Sequence, residues 1–236
     1  MKPVNKGTTV AGFRSYDQAK PDLIDRLGPF CSYCECPGSV TQLHVEHIYP
    51  EANTAHPKRA KNWRNFLLAC ATCNTYKRLH LGDGQQLKLL SRSLWPHVDN
   101  TLNAFTYLPD GRVEIRQGIG AVVSALAEEL REMAGLLKSP ARAQGYQNIG
   151  IAYDGINRRK EAREIAENAL VVFTENPSPA QLRSIRDTCR KSGYFSIWME
   201  VFQAHQDVRQ ALIDECKAAS ECFDPATTQA LARGRV

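Results

Sequence analysis

The sequence predicts an α+β chain, in which a small metal-stapled segment with two short strands precedes a mainly α-helical region with one β-hairpin. Three observations lead there. Two Cys-x-x-Cys pairs, Cys31/Cys34 and Cys70/Cys73, stand with 35 residues between them. Short apolar runs bounded by turn residues lie within and just after that span, as strands require. Beyond residue 119, apolar side chains recur at helical spacing over most of the chain.

Taken in order, residues 1–15 show no period and read as irregular. Residues 17–27 turn helical: Leu23, Ile24 and Leu27 share a face, and Gly28 fits a C-terminal stop. Cys31 to Cys34 forms a turn. Residues 40–48 alternate like one or two short strands ending at Pro50, and the polar stretch 51–61 reads as a loop. Phe66-Leu67-Leu68-Ala69 is an apolar run leading into the second cysteine pair, and a helix follows over 74–81. Trp95-Pro96 opens a linker-like stretch. Residues 104–108 and 112–116, across Pro109-Asp110-Gly111, predict a hairpin. Residues 119–138 and 156–173 carry apolar stripes at helical spacing. Ser178-Pro179-Ala180-Gln181 is a capping box with proline at the first helical position, and that helix stops near Gly193. Residues 194–205 and 208–219 complete the helical region, and the last dozen residues look frayed.

The chain of 236 residues divides, on this reading, into a segment 1–90 and a helical accessory region 91–236. Charge follows the same division. Residues 1–90 hold 12 Lys/Arg against 7 Asp/Glu, whereas residues 91–236 hold 18 against 18, so the whole surplus of +5 lies on the cysteine-bearing segment. That placement favours a polyanionic partner. No run approaches the roughly 20 apolar residues of a membrane span, and the N-terminus lacks an apolar export core, so a cytoplasmic location and no membrane partner are expected. Eight cysteines without an export signal argue against a disulfide framework. Four sit at metal-ligand spacing. Cys189, Cys216 and Cys222 read as small apolar residues, and Cys36 as the same or as a neighbour of the metal.

Four thiolates around Zn²⁺ make a closed tetrahedral site, which is structural because no coordination position is left for a substrate. Cys31, Cys34, Cys70 and Cys73 are the expected ligands, and a small segment with little core needs such a staple. Between them lies the acid–histidine step Glu46-His47. On an extended strand these neighbours point to opposite sides. A strand ending there aims one at a metal and the other at a water, or both are ordinary polar residues of an exposed strand. Asn65, five residues before the second pair, and Asn74, directly after it, favour the first reading.

His47, Asn65 and Asn74 between two cysteine knuckles resemble the HNH endonuclease motif in its HNN variant. That resemblance implies a ββα-metal fold clamping one divalent cation. It makes His47 the general base, Glu46 and Asn74 the ligands of the catalytic cation, and Asn65 the residue that holds the loop orienting His47. Glu46 departs from the aspartate or histidine of many members, and Asn74 from a common histidine. Oxygen ligands favour Mg²⁺ or Mn²⁺ over zinc at this second site. Hydrolysis to a 5′-phosphate and a 3′-hydroxyl is implied, with DNA the first candidate and RNA or tRNA the alternative. His56, Lys58, Arg59, Lys61 and Arg64, with His44 and Lys77, read as phosphate contacts or as a solvated polar surface.

A wider resemblance rests on Cys31-Ser-Tyr-Cys34-Glu35, on Trp63-Arg-Asn65-Phe-Leu-Leu-Ala-Cys70 and on Asn74-Thr-Tyr-Lys77. It is to the PtuB-like nuclease subunits of Septu-type anti-phage systems, and it implies an ATPase partner subunit. Phe195, Trp198, Met199 and Phe202 are then either docking contacts or core. Two other readings use the same residues. His44, Cys70 and Cys73 with Glu46 approximate a zinc deaminase, although proline is missing before Cys70 and Cys31/Cys34 would have no purpose. A non-catalytic zinc module binding nucleic acid is the other.

Overall fold

A computed structural model describes residues 1–50, 57–81, 91, 93–137 and 155–236. His56 therefore lies outside the described residues. Helix α1 (Lys20–Leu27) buries Leu23 and Leu27 and stops at Gly28, whose N–H returns to the Ile24 carbonyl. Strands β1 (Leu43–His47) and β2 (Phe66–Cys70) pair antiparallel from Leu43 opposite Cys70 to His47 opposite Phe66. Helix α2 (Ala71–Leu81) leaves β2 without a linker. The order strand, strand, helix is the ββα arrangement expected from the motif.

Helices α1 and α2 both pack on this two-stranded sheet, and residues on both of its faces are buried. Phe66, Leu67, Leu68 and Ala69 are accordingly all fully buried, with no inside–outside alternation. Burial of each large side chain contributes about 1.5–3 kcal/mol. Val45 and Glu46, which face opposite sides of β1, are likewise both buried. An N-terminal strap crosses the same region. The Lys6 side-chain amine donates to the carbonyls of Trp63, Arg64 and Phe66 (2.7–3.3 Å), and the Arg26 guanidinium stacks over the Trp63 ring at 5.0 Å.

Strands β3 (Phe105–Tyr107) and β4 (Val113–Ile115) form the expected hairpin, its turn closed by Gly111 N–H on the Leu108 carbonyl. Helices α3 (Ala121–Met133), α4 (Gly155–Glu175), α5 (Pro179–Ser192), α6 (Phe195–Val201) and α7 (Gln206–Glu215) follow. One apolar cluster runs from Leu23, Leu43 and the β2 residues through Phe105 and Leu130 to Ile197. A second gathers Phe173, Ile185, Trp198, Phe202, Leu212 and Phe223. The first cluster thus joins described residues from both sides of the 90/91 division.

Ser178 caps α5 by accepting from Gln181 N–H at 3.3 Å, but the Gln181 side-chain oxygen finds no partner, so only half of the capping box forms. Ser178→Ala is expected to cost about 1 kcal/mol, read as a lower midpoint in thermal unfolding.

Several expectations are corrected here. Residues 194–205 are one short helix, α6, rather than a helix throughout. The linker-like stretch at Trp95 is interior: Trp95, Asp99, Asn100 and Thr101 are all buried. The last dozen residues are not frayed. Phe223 bridges Ala230, and Arg235 meets the buried Asp99 carboxylate at 2.6 Å. Phe195, Trp198, Met199 and Phe202 are at most 2% exposed and form core, not a docking face.

Candidate active site and metal centre

The sulfurs of Cys31, Cys34, Cys70 and Cys73 lie within 4.8 Å of one another, with Cys34 and Cys70 at 3.8 Å. A tetrahedron of Zn–S bonds of about 2.3 Å has edges of about 3.8 Å, so the donor set and its spacing suit a four-thiolate metal site. The knuckles are held from outside as well. Ser32 N–H donates to the Leu68 carbonyl (2.8 Å) and the Ser32 hydroxyl accepts from Leu68 N–H, which ties the first turn to the middle of β2. Cys73 N–H points at the Cys70 sulfur. Within the cluster, hydrogen bonding from Cys31 and Cys36 draws the Cys34 thiol down to about 5, and Cys70 falls below its ordinary value through Cys31 and its other neighbours. Burial pushes Cys31 up. Cys36 sits against the same sulfurs as a fifth thiol outside the four.

The first knuckle is also gripped by the helical region. Glu35, buried at a φ of 66°, accepts from Ser196 N–H (2.8 Å), the Ser196 hydroxyl (2.6 Å), Lys2 N–H (2.6 Å) and the Tyr107 hydroxyl (3.3 Å). Gly193, at a φ of 75°, lies so close that a Cβ there would stand 2.6 Å from the Glu35 carbonyl oxygen and from Pro37.

His47 ends β1. Its ring lies edge-on to Tyr16 (4.8 Å) and Phe66 (5.2 Å), and its Nε2 is 2.9 Å from the Ala60 carbonyl. A carbonyl only accepts, so Nε2 is the donor, and in the neutral form of the ring the lone pair is on Nδ1. Asn65 fastens the segment that supplies this carbonyl. Its oxygen accepts from Tyr49 N–H (2.8 Å), and its amide donates to the carbonyls of Tyr49 (3.0 Å) and Arg59 (3.1 Å). Three partners lose their bonds if the side chain is truncated. Asn65→Ala is therefore expected to destabilise this loop and, by letting His47 drift, to lower turnover roughly 10²-fold, measured as kcat with zinc content unchanged.

Glu46 is 1% exposed. Its Oε2 accepts from the Tyr33 hydroxyl at 2.6 Å, and its Oε1 is ion-paired with the Lys77 ammonium, which also donates to the His47 carbonyl. Burial and the Glu46 charge hold Tyr33 well above the usual phenol range, so it remains the donor. Lys77, read from the sequence as a phosphate contact, is a buried partner of Glu46 instead. Asn74 lies one turn earlier on α2 and is half-buried. The carboxylate and the amide are hard oxygen donors and suit Mg²⁺ or Mn²⁺ in type, but both Glu46 oxygens are already engaged. Neither Tyr33 nor Lys6 stands out in the sequence as a site residue. Tyr33 looks like a mere spacer between cysteines, and Lys6 acts on carbonyls some 60 residues away.

The exposed cations Lys58, Lys61 and Arg64 sit on the 3₁₀ turns Pro57–Lys61 and Trp63–Asn65, next to Ala60 and hence to His47. Arg59 is half-buried, its guanidinium 4.1 Å over the Tyr49 ring, and His44 is exposed on β1.

Residues 31–78 match the family model described as HNH endonuclease. They form an HNH endonuclease domain. The Septu protein PtuB of Bacillus thuringiensis is 30% identical over 95 residues, which make up 38% of this chain and 34% of that protein. The chain thus matches about a third of the length of this curated relative. Within the HNH domain, Cys70 and Cys73 share their cluster with Cys31 and Cys34 and not with His44, which overturns the deaminase geometry. No helix among the described residues is long and apolar enough to cross a membrane.

Proposed function

We propose that this chain is a metal-dependent nuclease that hydrolyses phosphodiester bonds in nucleic acid, DNA foremost. The observation that carries the reading is the 2.9 Å approach of His47 Nε2 to the Ala60 carbonyl: with that nitrogen donating, the neutral ring has Nδ1 left to take a proton from a water. Hydrolysis near neutral pH needs a group of this kind to deprotonate the nucleophile. Asn65 keeps the ring in place through the loop it fastens. Lys58, Lys61, Arg64 and His44 offer charge for the phosphates, and Arg59 backs them against Tyr49. Glu46 and Asn74 would hold the catalytic Mg²⁺ or Mn²⁺, which would supply charge stabilisation at the phosphate. Cys31, Cys34, Cys70 and Cys73 hold a structural Zn²⁺.

The likeness to PtuB supports a wider role in anti-phage defence, with an ATPase subunit restraining or triggering the nuclease. In that assembly residues 1–90 act as nuclease and residues 91–236 as docking region, through exposed side chains rather than the buried aromatics of α6. A cytoplasmic location accords with such a role. The test is incubation of the purified chain, alone and with the product of a neighbouring ATPase gene, with DNA and with tRNA, with and without Mg²⁺. DNA fragments with 5′-phosphate and 3′-hydroxyl ends, formed only with the cation, are expected. Cleavage confined to tRNA would replace the substrate, and cleavage undiminished by metal removal would overturn the mechanism.

A further inference from the structure

The pocket behind Glu46 already contains a cation of its own. Lys77 is 4% exposed and Glu46 1%, and the ammonium faces both the carboxylate and the His47 carbonyl. Lys77 stands three residues after Asn74 on α2, so the two share one face of the helix. The Tyr33 hydroxyl takes the remaining carboxylate oxygen. A divalent cation placed on Glu46 beside this ammonium would meet strong like-charge repulsion, because buried charges are poorly screened.

We propose that Lys77 and the divalent cation are alternative partners of Glu46. Lys77 occupies Oε1 until the cation arrives, and the ammonium then gives up that oxygen and keeps only its bond to the His47 carbonyl. The inference rests on the reading of Glu46 as a cation ligand and adds a gate to it. Its physical advantage is that the buried carboxylate is never left unpaired, so the fold does not depend on the second metal. Its cost is apparent affinity. If the ammonium-held form makes up about nine-tenths of the molecules, cation binding is weakened about tenfold relative to an ungated site.

The experiment is a titration of the full chain, zinc retained, with Mn²⁺, following free Mn²⁺ by electron paramagnetic resonance. Wild type, Lys77→Met, Lys77→Arg, Glu46→Gln and the Glu46→Gln/Lys77→Met double variant are compared. Lys77→Met is expected to bind Mn²⁺ about tenfold more tightly than wild type, Lys77→Arg to resemble wild type, and both Glu46→Gln chains to lose the site. Should Lys77→Met fail to fold, as judged by zinc content and circular dichroism, Lys77→Gln replaces it, since its amide still donates to the His47 carbonyl without a charge. Equal or weaker binding by a folded, charge-free variant, with loss in Glu46→Gln, would overturn the gate and leave the ligand intact. Undiminished binding in the double variant would overturn the ligand and the gate with it.

Discussion

Replacing His47 with alanine is expected to lower cleavage by roughly 10²–10⁴-fold, the usual contribution of a positioned general base. The ring also packs against Tyr16 and Phe66 and holds Ala60, so alanine alone confounds chemistry with loop order. His47→Gln separates them: its amide can still donate to the Ala60 carbonyl, yet it has no lone pair basic enough to take a proton from water. Both variants are expected to lose activity alike, with zinc content and melting of the glutamine form near wild type. Added imidazole is expected to restore part of the rate in the alanine form, where a cavity opens. Full activity in folded His47→Gln would remove His47 from the chemistry.

Loss of the thiolate-bound metal is expected to have the larger structural effect. Apparent binding of structural zinc is worth roughly 10–16 kcal/mol, which exceeds or matches the whole stability of an ordinary domain, about 5–15 kcal/mol. Cys70 is the junction of β2 and α2, and the Cys31 turn is pinned to Leu68 through Ser32. Cys70→Ser, or a strong chelator on the wild-type chain, is therefore expected to release zinc and to melt β1, β2 and α2 together. Metal analysis with circular dichroism reads both events. Retention should also fail as pH is lowered, because the ligating sulfurs must be deprotonated. An unchanged melting curve after complete zinc loss would show that the apolar packing around Leu67 holds the segment unaided.

The parts of the molecule legible in the sequence are those governed by near neighbours. Both cysteine pairs, the strand before Cys70, the hairpin turning at Gly111 and the Ser178 cap depend on residues a few positions apart. Misread features depend on distant partners. Pro96 and Asp99 have the composition of a linker, but Asp99 is interior because Arg235 reaches it from 136 positions away. The C-terminal residues look frayed for the same reason. Lys77 looks like a surface cation because nothing local shows that Glu46, 31 positions earlier, lies beneath it. Asn65 is the intermediate case: its importance was visible as part of a motif, whereas its three bonds to Tyr49 and Arg59 were not.

Glu35 bears on how an outside event reaches the nuclease. Its carboxylate is lashed to the first turn of α6, while its own backbone belongs to the turn that presents Cys31 and Cys34. A shift of α6 would therefore be felt at the turn that carries the first two sulfurs, with Ser196 as the point of attachment.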